Sequence, residues 1–150
     1  MAGGERSEAV QFGGVNPIFR VSDLAASLDY YVRVLGFKID WEFTGVIASV
    51  SRDKVAIFLS EGDQGNPGSW VWIGVGDVEQ VHAEFVRRGA TIRQPPTNLP
   101  WALEMQVADP DGNILRIGSE PLKDRPIGAW LDMYGQRWIQ KRDGGWVRRS

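Results

Sequence analysis

The strongest constraint on this chain is that it repeats itself. Val21, Asp23, Leu24 and Tyr31 recur 54 residues later as Val75, Asp77, Val78 and Phe85, and Gly36 recurs one residue short as Gly89. In each copy a short β-like run (Asn16–Val21, then Trp70–Val75) leads into an Asp suited to cap a helix. An amphipathic stretch follows and then a Gly suited to stop it. The first helix has the inner stripe Leu24, Leu28, Tyr31 and Leu35. The second carries Val78, Val81, Phe85 and Val86 on its apolar side. Each helix is followed by strand candidates. In the first copy these are Phe37–Phe43, Val46–Ser51 and Lys54–Ser60. In the second they are Ala90–Ile92, stopped near Pro95-Pro96, then Leu103–Ala108 and Ile114–Ile117. The last pair brackets Asp109-Pro110-Asp111-Gly112-Asn113, five turn-forming residues in a row and a strong hairpin signal. The expected fold is α+β: two tandem βαβββ modules, about 15–61 and 69–119 within a domain 15–120, their curled mixed sheets set around a cleft. One such unit has a sheet face it cannot bury alone.

The rest is punctuation and extension. Residues 1–14 are Gly-rich and polar and are expected to form a flexible tail. Glu61–Ser69 reads as a linker. Residues 121–150 form a C-terminal extension in which Gly135–Arg149 reads as a hairpin turning at Asp143-Gly144-Gly145. Gly128–Tyr134 fits either a short helix or a strand. The basic end of this extension either docks on the domain or a partner subunit, or stands as a solvated edge hairpin. With 150 residues, 43% hydrophobic, the chain has enough apolar content for one core. A formal net charge of -2 offers no bulk attraction to nucleic acid or an anionic membrane. No apolar run approaches the ~20 residues of a membrane span, and a cytoplasmic location is expected. With no cysteine, thiol chemistry and Cys-based zinc sites are excluded.

Three segments, Phe19–Phe37, Ile73–Ala90 and Pro95–Asn113, resemble the vicinal oxygen chelate superfamily of glyoxalase I, bleomycin resistance proteins and extradiol dioxygenases. The likeness is greatest to the bleomycin-resistance-type branch, where a Trp precedes the strand leading into Asp-Pro-Asp-Gly-Asn. The resemblance implies paired βαβββ modules, a cleft between curled sheets, and a homodimer. Catalytic members hold a divalent metal with His, Glu or Gln side chains. Carried over, those positions fall near Asn16, at Trp70, at Arg116 and at about Ile57, the last within one residue. None is a good ligand, and Arg116 repels a cation. The single histidine, His82, lies mid-helix. Glu104 and Gln106 have ligand chemistry but share one strand face. The expectation is therefore no metal and no cofactor.

What remains for the cleft is aromatic. Strand alternation puts Trp70, Trp72 and Gly74 on one face, and the resemblance makes that the ligand face. By the same parity Asn16, Ile18 and Arg20 share the cleft face of the first strand. Trp101 precedes the hairpin as a lid or interface residue. Such a cleft, with Gln106 among its ligand-binding residues, suits a small aromatic molecule stacked on indoles and oriented by Arg20, Glu104 or Arg116. Glu104 and Arg116 also have the option of pairing with each other. The leading expectation is a metal-free binding protein that sequesters its ligand. The alternative is a lyase, isomerase or dioxygenase using a metal through Glu104 and Gln106.

Overall fold

The structure, a computed structural model, describes residues 9–149, and residues 1–8 of the tail expected over 1–14 lie outside them. Strand β1 (Ile18–Arg20) leads to Asp23, whose carboxylate accepts the Ala26 N–H at 3.1 Å and caps α1 (Leu24–Asp29). The helix widens into a π turn over Tyr30–Val34, closed by Leu35 N–H to Tyr30 C=O, and ends at Gly36 with φ 76°. Its expected stripe of Leu24, Leu28, Tyr31 and Leu35 is fully buried. Strands β2 (Lys38–Phe43), β3 (Ile47–Arg52) and β4 (Val55–Ser60) complete a sheet ordered β1-β4-β3-β2, with β1 parallel to β4. At the β2 edge Asp40 bulges out of register and binds the Ser49 and Ser51 hydroxyls, at 3.3 and 2.8 Å.

The second half repeats this plan. Its elements are β5 (Trp70–Gly74), α2 (Val78–Arg88, capped by Asp77 and stopped at Gly89 with φ 85°), β6 (Thr91–Asn98), β7 (Leu103–Ala108) and β8 (Ile114–Ser119), in the sheet order β5-β8-β7-β6. Two expectations need correction. Strand β6 does not stop at Pro95-Pro96 but runs through them to Asn98, since it is an edge strand with a broken register and tolerates missing N–H donors. Val86 is 56% exposed and is no part of the apolar stripe.

Both sheets turn one face to a single core shared with the two helices, from Phe19, Val50 and Leu59 in the first half to Met105, Leu115 and Ile117 in the second. The Asp109–Asn113 turn locks the halves together. Asp109 accepts from the Tyr31 hydroxyl at 3.0 Å, Asp111 from Ser22 N–H at 2.9 Å, and Asn113 donates to Arg20 C=O at 3.1 Å. Burial raises the Asp109 carboxyl, opposed by hydrogen bonds from Asn113, Asp111 and Tyr31. Burial and Asp109 together push the Tyr31 phenol well up.

The extension forms a third sheet, β11-β10-β9, from β9 (Trp130–Leu131), β10 (Arg137–Gln140) and β11 (Trp146–Arg148). The Gly128–Tyr134 segment is thus a short strand and a turn rather than a helix, and the hairpin turns at Asp143–Gly145. Its root docks on the second sheet. Gly128 N–H donates to Asn98 C=O, Gln94 Nε2 to Ala129 C=O and Gln106 Nε2 to Leu131 C=O, each at 2.8 Å. Among the described residues no helix is long and apolar enough to cross a membrane.

Candidate ligand-binding site

Strand parity places Trp70, Trp72, Gly74, Glu104, Gln106 and Arg116 on the outer face of the second sheet, away from the core. The register confirms it, with Trp72 opposite Arg116, Gln106 opposite Arg116 and Glu104 opposite Gly118. Glu104 organises this face. It is only 1% exposed, and its carboxylate accepts two hydrogen bonds from Arg116, Nε to Oε2 at 2.8 Å and NH2 to Oε1 at 3.0 Å. It also accepts the indole N–H of Trp101 at 2.6 Å and of Trp72 at 3.3 Å. One buried acid therefore fixes two indoles whose rings stay open to solvent, Trp72 at 48% and Trp101 at 45% exposure. The Trp72 ring lies over two glycines: a Cβ at Gly74 or at Gly118 would come within 3.1 Å of it. Trp101 meets Trp146 of β11 at 5.8 Å between centroids, so the extension builds one wall.

The neighbouring positions are taken. Arg93 stacks over Trp70, 5.4 Å from the ring centroid, and donates to the Gln106 side chain and to Asp132 C=O. Burial pulls the Arg93 guanidinium below its usual range, with Asp132 opposing. Gln106 is wholly buried beneath Leu131. Glu104 and Arg116 thus pair with each other, one of the two options left open by the sequence, and Glu104 also holds the indoles. Asn16, Ile18 and Arg20 are not brought to this face. They belong to the first sheet, where Asn16 Nδ2 donates to Ala56 C=O at 3.3 Å and Ile18 pairs with Phe58. Arg20 Nε is buried there without a hydrogen-bond partner among the described residues.

The outer face of that first sheet also carries aromatics. Trp41 lies 5.2 Å from Phe58 and 5.8 Å from Phe43, and it is 40% exposed. Strand alternation accounts for them: Trp41 and Phe43 are two residues apart on β2, and Phe58 pairs with Ile18 on the same face.

The residues do not fit a metal. The position carried over to about Ile57 resolves by register to Phe58, because Ile18 pairs with Phe58 as Trp72 pairs with Arg116. Ile57 itself is a core residue. Asn16, Phe58, Trp70 and Arg116 offer no donor set, and no group of three His, Asp or Glu side chains with metal-binding geometry occurs among the described residues. A cation at Glu104 would have to displace a guanidinium and two indole donors, and Gln106 already serves Arg93 and Leu131.

The sequence profile of the Glyoxalase/Bleomycin resistance protein/Dioxygenase superfamily matches residues 14–117. The chain belongs to that superfamily. Among solved structures it is similar to the bleomycin-binding protein of Streptomyces verticillus in complex with copper(II)-bleomycin, at 26% identity over 74% of this chain and 98% of that one, with a TM-score of 0.64. It shares the fold of TnmS3, an antibiotic-binding protein from Streptomyces sp. CB03234 (24% identity, 76% and 100% covered, TM-score 0.65). A superfamily member from Sphaerobacter thermophilus shares it too (24%, 73% and 98%, TM-score 0.62). A comparison with curated proteins finds no match. The superfamily match ends before β9, so the sheet that walls the Trp72–Trp101 site lies beyond it.

Proposed function

We propose that this superfamily member binds a flat aromatic molecule of the antibiotic type between the Trp72 and Trp101 indoles, without metal, cofactor or turnover. The observation that carries the reading is the Glu104 carboxylate. Buried and saturated with donors, it is poorly placed to move a proton, yet it holds two exposed indoles in fixed orientation. Rigid rings lose little entropy on binding, so stacking converts efficiently into affinity. The bleomycin complex of the S. verticillus protein supports the ligand class. Such a protein protects by mass action and belongs in the cytoplasm, where its ligand would act.

The same reading includes a homodimer. Trp41 and Phe43 on the outer face of the first sheet are 40% and 65% exposed, and a second copy of the chain is the occupant that would cover this aromatic surface while adding a wall to the site.

The test is isothermal titration of the full chain with a panel of aromatic antibiotics, bleomycin included, alongside Trp72→Ala. Submicromolar binding of at least one compound, weakened roughly 10-fold or more by the substitution, is expected. Failure of every compound, or affinity indifferent to Trp72, refutes the proposal.

A further inference from the structure

The two halves differ where the last hairpin of each meets the strand–helix junction of the other. In one place the five-residue turn Asp109–Asn113, between β7 and β8, fills the space beside β1 and α1. The Asp111 carboxylate takes Ser22 N–H at 2.9 Å and lies 3.5 Å from the Ser27 hydroxyl, while Asp109 takes the Tyr31 hydroxyl. In the other place the β3–β4 turn is only Asp53-Lys54. The repeat puts Gly76, Val81 and Phe85 where Ser22, Ser27 and Tyr31 stand. The short turn leaves their space open as a cavity of about 600 Å³, floored by Phe37, Val55, Ile73, Val81, Phe85 and Leu115. This lies on the core side of the second sheet, behind Trp72.

The chemistry of the socket has changed with its vacancy. The hydroxyls that grip an acidic turn in the first half are replaced by apolar Val81 and Phe85, so a ligand here needs an apolar body. The backbone donor corresponding to Ser22 N–H is Gly76 N–H, which has no hydrogen bond among the described residues. The first amides of α2 are taken, by Asp77 for Glu79 and Gln80 and by Ser119 for Val78. Arg52 at the rim is committed to Glu84 and Leu35 C=O. Lys54 has no ion pair among the described residues and is the free cation at the mouth, flanked by Asp53.

We infer that this cavity is a second small-molecule site, independent of the outer-face indoles, and that it takes a compact aryl or branched-alkyl carboxylate. The apolar body lies among Ile73, Val81 and Phe85. The carboxylate meets Gly76 N–H and Lys54, standing where the Asp111 side chain stands in the other half. The volume is within the range of small-molecule pockets.

The probe is 3-phenylpropionate, with its neutral amide as comparison, titrated calorimetrically into the full chain. Saturable binding of the acid is expected, with the amide at least 10-fold weaker. Lys54→Glu weakens the acid at least 5-fold, Asp53→Asn tightens it, and Val81→Trp abolishes it by filling the floor. Trp72→Ala leaves it unchanged, and the acid does not compete with an outer-face ligand. Lys54 is exposed, so its variant reads out the site even if Val81→Trp fails to fold. The inference is overturned by absence of saturable binding, by equal affinity for acid and amide, or by affinity indifferent to Lys54→Glu. Loss of binding in Trp72→Ala also overturns it, because the probe then sits on the indole face.

Discussion

Replacing Arg116 with methionine isolates the interaction that orders the indole face. Truncating one partner of a buried ion pair costs about 3–5 kcal/mol, because the other charge is left uncompensated. Two features reduce that here. The Arg116 side chain is 24% exposed, so water reaches the pair, and Glu104 keeps the Trp101 and Trp72 N–H donors. The expected loss is about 2–3 kcal/mol, a fall of roughly 4–12 °C in Tm for a chain of this size. Glu104→Gln removes the charge but keeps a carbonyl acceptor for the indoles. The double variant Glu104→Gln/Arg116→Met should therefore lose only about 1 kcal/mol, less than Arg116→Met alone. Urea unfolding of the four proteins closes the cycle. An Arg116→Met protein within about 0.5 kcal/mol of the parent, or a double variant less stable than that single one, refutes the assignment of Glu104 as a buried charge dependent on Arg116.

Three further outcomes are expected. Removal of residues 121–150 strips partners from Gln94, Asn98 and Gln106 and uncovers the face beneath Leu131. It should cost about 2–4 kcal/mol, and hydrogen exchange should rise first in β6 and β7. Gly118→Ala sets a Cβ 3.1 Å from both the Trp72 ring and the Glu104 Cβ. It should cost about 1–3 kcal/mol and weaken aromatic ligands in the same titration. For Asp132, burial raises the carboxyl, but hydrogen bonds from Trp138 Nε1 and the N–H groups of Gln136 and Tyr134 outweigh it and hold the group below the ordinary carboxylate value. Its contribution is thus complete above the unfolded value of about 3.9 and is lost as pH falls through the lower folded value. The Trp138 indole N–H resonance should shift only in that acidic window, and the pH dependence should vanish in Asp132→Asn.

The fold was legible because its punctuation is local. Asp23 and Asp77 start the helices, Gly36 and Gly89 stop them, and period-two alternation assigned Trp72 and Arg116 to one face without knowledge of their neighbours. Whether Glu104 and Arg116 face a ligand or each other depends on the β7–β8 register and on which donors surround Glu104, and alternation alone left both options open. How the extension docks, an option the sequence left open, was undecided for a different reason. It rests on Gln94, Asn98 and Gln106 bonding the backbone of residues 122–131, and single polar side chains leave no periodic trace. Strand β6 was cut short at Pro95-Pro96 because proline marks a break in a central strand, whereas an edge strand accommodates it. The cavity behind Trp72 appears only when two turns of unequal length are compared in space.

The Asp109–Asn113 turn also governs when the chain can finish folding. Its bonds to Tyr31, Ser22 and Arg20 join residues 78 to 93 positions apart. During synthesis the first module emerges before the turn that supplies these contacts. Such distant closures slow folding, because the intervening loop must be ordered before it is rewarded. Substitutions at Asp109 should therefore retard refolding as well as weaken the product, whereas changes in the Asp53-Lys54 turn, a local connection, should leave the folding rate nearly untouched.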